Sequence, residues 1–272
     1  MGAEPDLAAQ CRSLPADAYG CLRSYGRENA VVTEPFDPAG WLPRLASATS
    51  AFAATLDSAD LARPVPGCPG WTLADLGGHL GGVHAWAEHA VVAGNPDLAE
   101  EPVPTGPGEL ASWYRDRAGS LLVTLAATDP DTPAWAFGLP AGRSEFWRRR
   151  QTHETTIHLW DAARSQDRWT AIDPVLAADG IDEVATRLFP RQVRLGRTTT
   201  LAGSVALAPT DVSTPGAVLR GHESDETIAT VRGPAEVLLL LLWRRIRPDD
   251  ARLTVTGSRA AYDDLFASAL TP

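Results

Sequence analysis

The sequence predicts an α+β protein in which an N-terminal bundle of four helices is followed by a smaller α+β domain. Apolar residues recur at helical spacing through most of the chain up to residue 165, in segments joined by short or medium loops. Beyond that point, short strand-like runs alternate with turn residues and further helical segments. The expected parts are an N-terminal extension (1–35), the helical bundle (36–165), and a bridging helix with the C-terminal domain (166–272).

The first two helices of the bundle carry clear start signals. Asp37 can cap the first helix, with Pro38 in its first turn. Thr72 and Asp75 form a capping-box pattern that opens the second helix, which ends at the turn residues 94–96. The apolar stripes are Trp41, Leu45, Phe52 and Leu56 in the first helix, and Leu73, Leu76, Leu80 and Val83 in the second.

Four glycines lie beside the apolar stripe of the second helix, at positions 77, 78, 81 and 82. Each weakens a helix by roughly 1 kcal/mol relative to alanine. We therefore expect close helix packing or the approach of a ligand along this surface.

The third and fourth helices are predicted over about residues 109–127 and 145–164, and Ser144 is expected to cap the fourth. The core candidates of the third helix are Leu110, Trp113, Tyr114, Leu121 and Leu125. A bridging helix is predicted over 173–189. In the C-terminal domain, strands are predicted at 201–208, 216–220, 226–232 and 253–257, with helices after Pro234 and from residue 258.

Composition limits the classes of partner. The formal net charge of −10 over 272 residues leaves no basic footprint for a nucleic acid or an anionic membrane, so a small molecule is the expected partner. All 24 basic side chains are arginine. The absence of lysine excludes Schiff-base chemistry and a lysine general base.

Cysteine usage and hydropathy point to the cytoplasm. Cys11, Cys21 and Cys68 are odd in number and widely spaced, which disfavours a disulfide framework. The segment MGAEPDLAAQ has neither a basic leader nor an apolar core, so no signal peptide is expected. The longest apolar run, Val237 to Trp243, is far below the roughly 20 residues that span a bilayer.

The fourth helix contains the strongest chemical signal. Glu154 and His158 stand four positions apart, so both side chains lie on one helix face and can hold one divalent metal ion. Such a pair is also common on helix surfaces. His79, on another helix of the bundle, would cost roughly 1–3 kcal/mol to bury without a partner. His79, Glu154 and His158 together make a three-ligand site with an open position, as in catalytic zinc sites.

The remaining histidines, His84, His89, His153 and His222, are expected to be solvated or hydrogen-bonding residues. His153 is the main rival, but it points about 100° away from Glu154 around the helix. Asp161 either orients the His158 imidazole or is a solvated carboxylate at the helix end. Cys68 is interpreted as a buried loop thiol.

Three consecutive arginines, residues 148–150, precede the proposed ligands by one to two turns. Such a run usually forms a solvated face, but one fork could bind an anionic substrate. Arg149 is the candidate, although spacing alone does not decide among the three.

Four segments resemble the mycothiol-dependent maleylpyruvate isomerase family. CPGWTLADLGGHL and FWRRRQTHETTIHLWDA look like its two signature stretches, and SVALAPTD with GPAEVLLLLLWRR resembles its C-terminal domain. The resemblance covers about residues 36–270 and implies a DinB-like four-helix bundle followed by a small α+β domain.

The resemblance also implies roles for particular residues. His79, Glu154 and His158 match the family's zinc ligands. Arg245 matches an arginine of the C-terminal domain that faces the metal. Arg244 replaces the glycine often found before it, so which of the two arginines points inward stays open at this stage.

The implied chemistry is cis–trans isomerisation or thiol transfer on a small anionic or electrophilic substrate. It implies a divalent metal ion, zinc, as the cofactor and mycothiol as the co-substrate. The thiolate would add to the substrate double bond, rotation would follow, and elimination would restore the alkene in the other geometry. Two alternatives remain. The metal site could act without a thiol in a hydrolase or rearrangement enzyme, or the bundle could be a non-catalytic accessory protein.

Overall fold

The computed structural model describes residues 36–99, 101–221 and 226–272. The predicted N-terminal extension, with Cys11 and Cys21, therefore lies outside the described residues. Contacts separate a helical unit, Asp37–Thr170, from a second unit, Ala171–Pro272. Within the described ranges, no helix is both long and apolar enough to cross a membrane.

The helical unit contains the four predicted helices: α1 (Trp41–Ser58), α2 (Leu73–Val92), α3 (Pro107–Ala127) and α4 (Ser144–Ser165). A short 3₁₀ turn, Pro38–Gly40, precedes α1, and the side chain of its cap Asp37 accepts from the Ala39 amide. The capping box of Thr72 and Asp75 at the start of α2 is confirmed.

The expected capping role of Ser144 is wrong. Arg143 occupies the cap position, and the Ser144 hydroxyl instead donates to the carbonyl of Asp129 at 2.7 Å. The amides of Ser144 and Glu145 donate to the carbonyls of Thr132 and Pro130. The preceding loop therefore satisfies the first amides of α4, which leaves a side-chain cap unnecessary.

Glycines bring α2 close to its neighbours, as the sequence predicts. A Cβ at Gly77 would lie 3.1 Å from Leu56, and one at Gly78 would lie 2.9 Å from Val103. At Gly81 it would overlap the ring of Trp113, whereas Gly82 faces open space. Side-chain packing, and not a ligand, accounts for three of the four glycines. The core around them includes Phe52, Leu56, Leu73, Leu76, Leu80, Leu110 and Tyr114.

The second unit begins with a helix that is longer and less regular than predicted. Asp173 caps α5 (Pro174–Glu183), a π-helical turn follows at Val184–Leu188, and α6 (Phe189–Arg194) continues the axis. Pro190 cannot donate a backbone hydrogen bond, which disfavours regular α-helical pairing at this point. The Phe189 amide reaches five residues back to Val184, so the turn widens.

A four-stranded sheet in the order β2-β1-β3-β4 forms the rest of this unit, with two more helices. Its strands and helices are β1 (Ser204–Pro209), β2 (Ala217–Leu219), β3 (Thr227–Gly233), α7 (Ala235–Leu242), β4 (Thr254–Gly257) and α8 (Arg259–Ala267). The central pair, β1 and β3, is parallel, with Leu207 opposite Val231. Both edge strands pair antiparallel. The predicted strands and helices are confirmed, with β1 starting three residues later than expected.

Candidate metal centre

The structure brings His79, Glu154 and His158 together between α2 and α4. One possible ligand atom of each residue lies within 4.8 Å of the others. Glu154 Oε1 is 3.4 Å from His79 Nε2 and 3.3 Å from His158 Nε2. The two imidazole rings meet edge to face, with centroids 5.1 Å apart.

These distances are long for direct hydrogen bonds, and they also match the spacing between two ligands of a common ion. An N–H···O bond usually measures about 2.7–3.2 Å, shorter than either contact to Glu154 Oε1. Two ligands of a tetrahedral zinc ion, each bonded at about 2.0–2.1 Å, lie roughly 3.3–3.4 Å apart. The distances from Glu154 Oε1 to the two imidazole nitrogens match two ligand–ligand edges of such a tetrahedron. The residues present therefore fit a zinc ion.

The cluster is partly accessible to solvent. The side chains of His79 and Glu154 are each 13% exposed, whereas that of His158 is 6% exposed. An ion bound by these three residues would have a fourth position that a small ligand could approach, as catalytic zinc sites do.

Arg150 determines which carboxylate oxygen faces the histidines. It lies one turn before Glu154, is 3% exposed, and donates to Glu154 Oε2 at 2.7 Å. Burial alone would raise the pKa of Glu154, but Arg150 and the hydrogen bonds from His158 and His79 outweigh it and hold that pKa well below its usual range. Oε1 is thus left as an ionised acceptor and possible metal ligand facing both imidazoles.

Of the three consecutive arginines at 148–150, the sequence pointed to Arg149 as the functional one, and the role of Arg150 was missed. The missed signal was the four-residue spacing between Arg150 and Glu154. Arg148 donates to the carbonyls of Leu125 and Thr128. Arg149 stands four residues before His153 and about 140° around the helix from Glu154, and its predicted substrate contact stays a prediction.

Asp161 is buried, so its interpretation as a solvated carboxylate is wrong. It is 0% exposed, and its Oδ2 lies 3.1 Å from His158 Nδ1, within hydrogen-bond range. With Nδ1 donating to Asp161, Nε2 can present its lone pair on the side of Glu154 and His79. Asp161 therefore orients the imidazole.

His158 carries a proton where a metal would bind. Burial lowers its pKa, but the hydrogen bonds to Asp161 and Glu154 and their charges outweigh burial and raise it to about 9. At neutral pH the metal-free imidazole is thus protonated, and a metal ion must displace that proton.

The loop before α2 contributes two contacts that sequence reasoning missed. The ring of Trp71 packs against His79 with centroids 4.9 Å apart, and Cys68 Sγ lies 3.7 Å from Asp161 Oδ2. Cys68, His158 and Asp161 also bring possible ligand atoms within 4.8 Å of one another. Since the Asp161–His158 distance is that of a hydrogen bond, we interpret this second group as support for His158.

The other histidines have different partners. His84 is wholly buried, with Nδ1 2.8 Å from Gln151 Oε1 and Nε2 3.3 Å from the Tyr114 hydroxyl. His153 packs edge to face on Trp41. His89 Nε2 is 3.1 Å from Asn95 Oδ1, and His222 lies outside the described residues.

Arg244 and Arg245 follow α7 in the second unit and differ in environment. Arg244 has a left-handed backbone, φ 58°, at the position after the helix where glycine is usual. Its guanidinium donates to the carbonyls of Phe266 and Ser268 at 3.0 and 2.6 Å. Arg245 is 7% exposed and donates to the Trp243 carbonyl at 2.8 Å. Arg244 is therefore bound to the end of α8, and the substrate contact assigned to Arg245 stays a prediction.

Comparison with known proteins gives matches to both units. The family described as "Mycothiol maleylpyruvate isomerase N-terminal domain" matches residues 42–163, and "MDMPI C-terminal domain" matches residues 175–264. No curated protein matches the chain.

Two solved structures share the fold. The crystal structure of the mycothiol-dependent maleylpyruvate isomerase superposes with a TM-score of 0.58 at 13% identity, over 82% of this chain and 95% of that chain. A His-to-Ala mutant of the mycothiol-dependent maleylpyruvate isomerase gives 0.54 at 14% identity, over 75% and 88%.

Proposed function

Because the chain belongs to the mycothiol maleylpyruvate isomerase family, we propose that it is a metal-dependent enzyme that uses a low-molecular-weight thiol on a small anionic or electrophilic substrate. Mycothiol is the proposed thiol, and cis–trans isomerisation is the proposed reaction. The observation that carries this proposal is the cluster of His79, Glu154 and His158, which fits a zinc ion with one open position. The proposed setting is the cytoplasm, where thiols are kept reduced.

The three ligands would hold the ion, and their neighbours would set its electrostatics. A bound zinc ion lowers the pKa of a coordinated thiol, which supplies thiolate at neutral pH. Arg150 balances the charge of Glu154 and leaves one carboxylate oxygen for the ion. Asp161 keeps His158 in the required tautomer.

The reaction would leave the thiol unchanged overall. The sulfur adds to one carbon of an activated double bond, whose electron pair moves into an enolate. Rotation follows about the carbon–carbon bond, which is now single, and collapse of the enolate expels the same thiolate from the isomerised alkene. A substrate with a leaving group would instead give thiol transfer. Among the described residues the only thiol is that of Cys68, which is buried against Asp161, so the proposal uses an added thiol.

Arg149 and Arg245 are the proposed substrate contacts. A guanidinium fork binds a carboxylate bidentately and can stabilise an enolate as its charge develops. Arg149→Ala and Arg245→Ala are each expected to raise KM at least about tenfold at unchanged zinc content. Arg143→Ala, at an exposed arginine before α4, is the matched control and should leave KM unchanged.

The direct experiment measures zinc content and turnover of maleylpyruvate with and without mycothiol. We expect about one zinc per chain and turnover that requires the thiol. Turnover that is unaffected by omission of the thiol would favour the alternative, a thiol-independent metalloenzyme. Zinc-loaded protein that converts no substrate under either condition would contradict the proposed reaction.

A further inference from the structure

The loop from Val65 to Trp71, just before α2, is closed by its own backbone. The Val65 amide donates to the Trp71 carbonyl at 2.9 Å, and the Trp71 amide donates to the Cys68 carbonyl at 3.0 Å. The Cys68 amide donates to the Val65 carbonyl at 3.0 Å. These bonds fix the positions of Cys68 and Trp71 relative to each other. We call this segment the 65–71 loop.

This loop touches the surroundings of both histidine ligands. Its Trp71 ring packs directly on His79. Its Cys68 reaches His158 through Asp161, because Asp161 Oδ2 is 3.7 Å from Cys68 Sγ and 3.1 Å from His158 Nδ1. One loop thus contacts one ligand directly and supports the other through a carboxylate.

The Cys68 thiol and the Asp161 carboxylate are both shielded from water. Cys68 is 1% exposed and Asp161 is 0% exposed. A buried carboxylate needs donors in place of water, and a thiol is a weak donor that can supply one. Sulfur is larger than oxygen, so 3.7 Å is an ordinary S–H···O distance. The same oxygen accepts from His158, so a donor on it restricts how the carboxylate can rotate.

We propose that Cys68 is a positioning residue of the metal centre, whose thiol donates to Asp161 Oδ2 and so fixes the carboxylate that orients His158. The inference rests on the proposed metal site. A competing explanation is packing, because Cys68 also belongs to the apolar core with Val65 and Leu73. The two explanations predict opposite rankings of substitutions.

Three substitutions separate donation from packing. Cys68→Ser keeps a donor but places a more polar, smaller group in the core. Cys68→Val keeps an apolar side chain of similar size without a donor, and Cys68→Ala keeps neither. Positioning predicts that serine preserves zinc affinity best, whereas packing predicts that valine does.

The experiment is a zinc titration of the full chain against a chromophoric chelator, with thermal unfolding of each metal-free variant as the fold check. Changes to groups that orient metal ligands typically cost 10–100-fold in affinity, and a thiol is a weak donor. We therefore expect about tenfold weaker binding for Cys68→Val and Cys68→Ala, and at most about twofold for Cys68→Ser. The Co²⁺ absorption spectrum should shift in the valine variant and return toward the wild type in the serine variant.

A double-mutant cycle tests the route through Asp161. In an Asp161→Ala background, Cys68→Val should have no further effect on zinc affinity, because the carboxylate that accepts from both Cys68 and His158 is gone. Wild-type affinity in Cys68→Val, or an undiminished effect in that background, would overturn the positioning role while leaving the proposed function intact. A wild-type chain that binds no zinc would overturn both.

Discussion

Two buried histidines of the same bundle, His158 and His84, have opposite proton affinities. Both are buried, yet the pKa of His158 is raised to about 9 and that of His84 is lowered to about 4. Desolvation is the largest influence on each and acts downward on both. The difference lies in their partners: carboxylates flank His158, whereas a neutral amide and a phenol flank His84.

The groups that hydrogen-bond to each imidazole, and not its depth of burial, decide which of these two histidines carries charge. Where carboxylates attract a proton, they also attract a divalent cation. The neutral layer of His84, Gln151 and Tyr114 contains no carboxylate of its own. Four predictions, from the largest expected effect to the smallest, test this contrast.

The largest effect is expected from His158→Ala. Removing a direct ligand should weaken zinc binding by more than about a hundredfold, because changes to groups that only orient ligands already cost 10–100-fold. Metal content after dialysis is the measurement. His84→Ala is the matched control, and zinc retained by His158→Ala at the control's level would disprove the ligand assignment.

Zinc affinity should depend on pH through His158. Its pKa of about 9 means that the metal displaces one proton at any lower pH. Affinity should then rise about tenfold per pH unit between pH 6.5 and 9. Isothermal titration in buffers of different ionisation enthalpy counts the released proton. His84, with a pKa of about 4, contributes nothing in this range. A flat profile would contradict the raised pKa.

The metal-free protein should be most stable near pH 6.5. His158 has a folded pKa above its ordinary 6.5, so its stabilisation is complete below pH 6.5 and is lost as the pH rises through 9. His84 has a folded pKa below 6.5, so stability is lost as the pH falls from 6.5 toward 4. We call the loss of unfolding free energy below pH 6.5 the acid limb and the loss above it the alkaline limb. Each should amount to a few kcal/mol at most.

Urea unfolding of metal-free protein at pH 5, 6.5 and 9 measures both limbs. His84→Gln should flatten the acid limb and leave the alkaline limb unchanged, and His158→Gln should do the reverse. If either variant flattened the limb assigned to the other histidine, the comparison between the two sites would fail.

The smallest effect is expected from Tyr114→Phe. It removes one hydrogen bond to His84 Nε2, a contact of 3.3 Å, and should cost about 1 kcal/mol of unfolding free energy. Zinc affinity should stay at the wild-type value. A loss of zinc in this variant would mean that the neutral layer is coupled to the metal centre after all.

Much of the fold could be predicted from patterns within short stretches of sequence. The limits of α2 follow from a capping box, turn residues and apolar spacing, all within a few residues of sequence. The meeting of His79 with Glu154 followed from reasoning about bundles, because an otherwise unpartnered buried histidine needs a partner. Family resemblance pointed to the same residues.

What the sequence did not reveal depends on contacts between distant residues or on backbone pairing. The burial of Asp161, and its contact with Cys68, joins segments 93 residues apart. The Ser144 hydroxyl donates to the carbonyl of Asp129, 15 residues earlier, instead of capping its own helix. The π-helical turn before Pro190 changes hydrogen-bond pairing without altering the apolar pattern. Periodicity reports which face is buried, but not which polar atoms meet there.

The glycines of α2 have a consequence for the order of folding. Since Gly77, Gly78 and Gly81 weaken the isolated helix, α2 should gain most of its helical structure only when α1 and α3 dock against it. Glu154 and His158, two of the three proposed ligands, lie on one continuous helix and can be brought together earlier. We therefore expect His79, the third proposed ligand, to reach its position late in folding, so that an ion bound early would be enclosed by the final docking step.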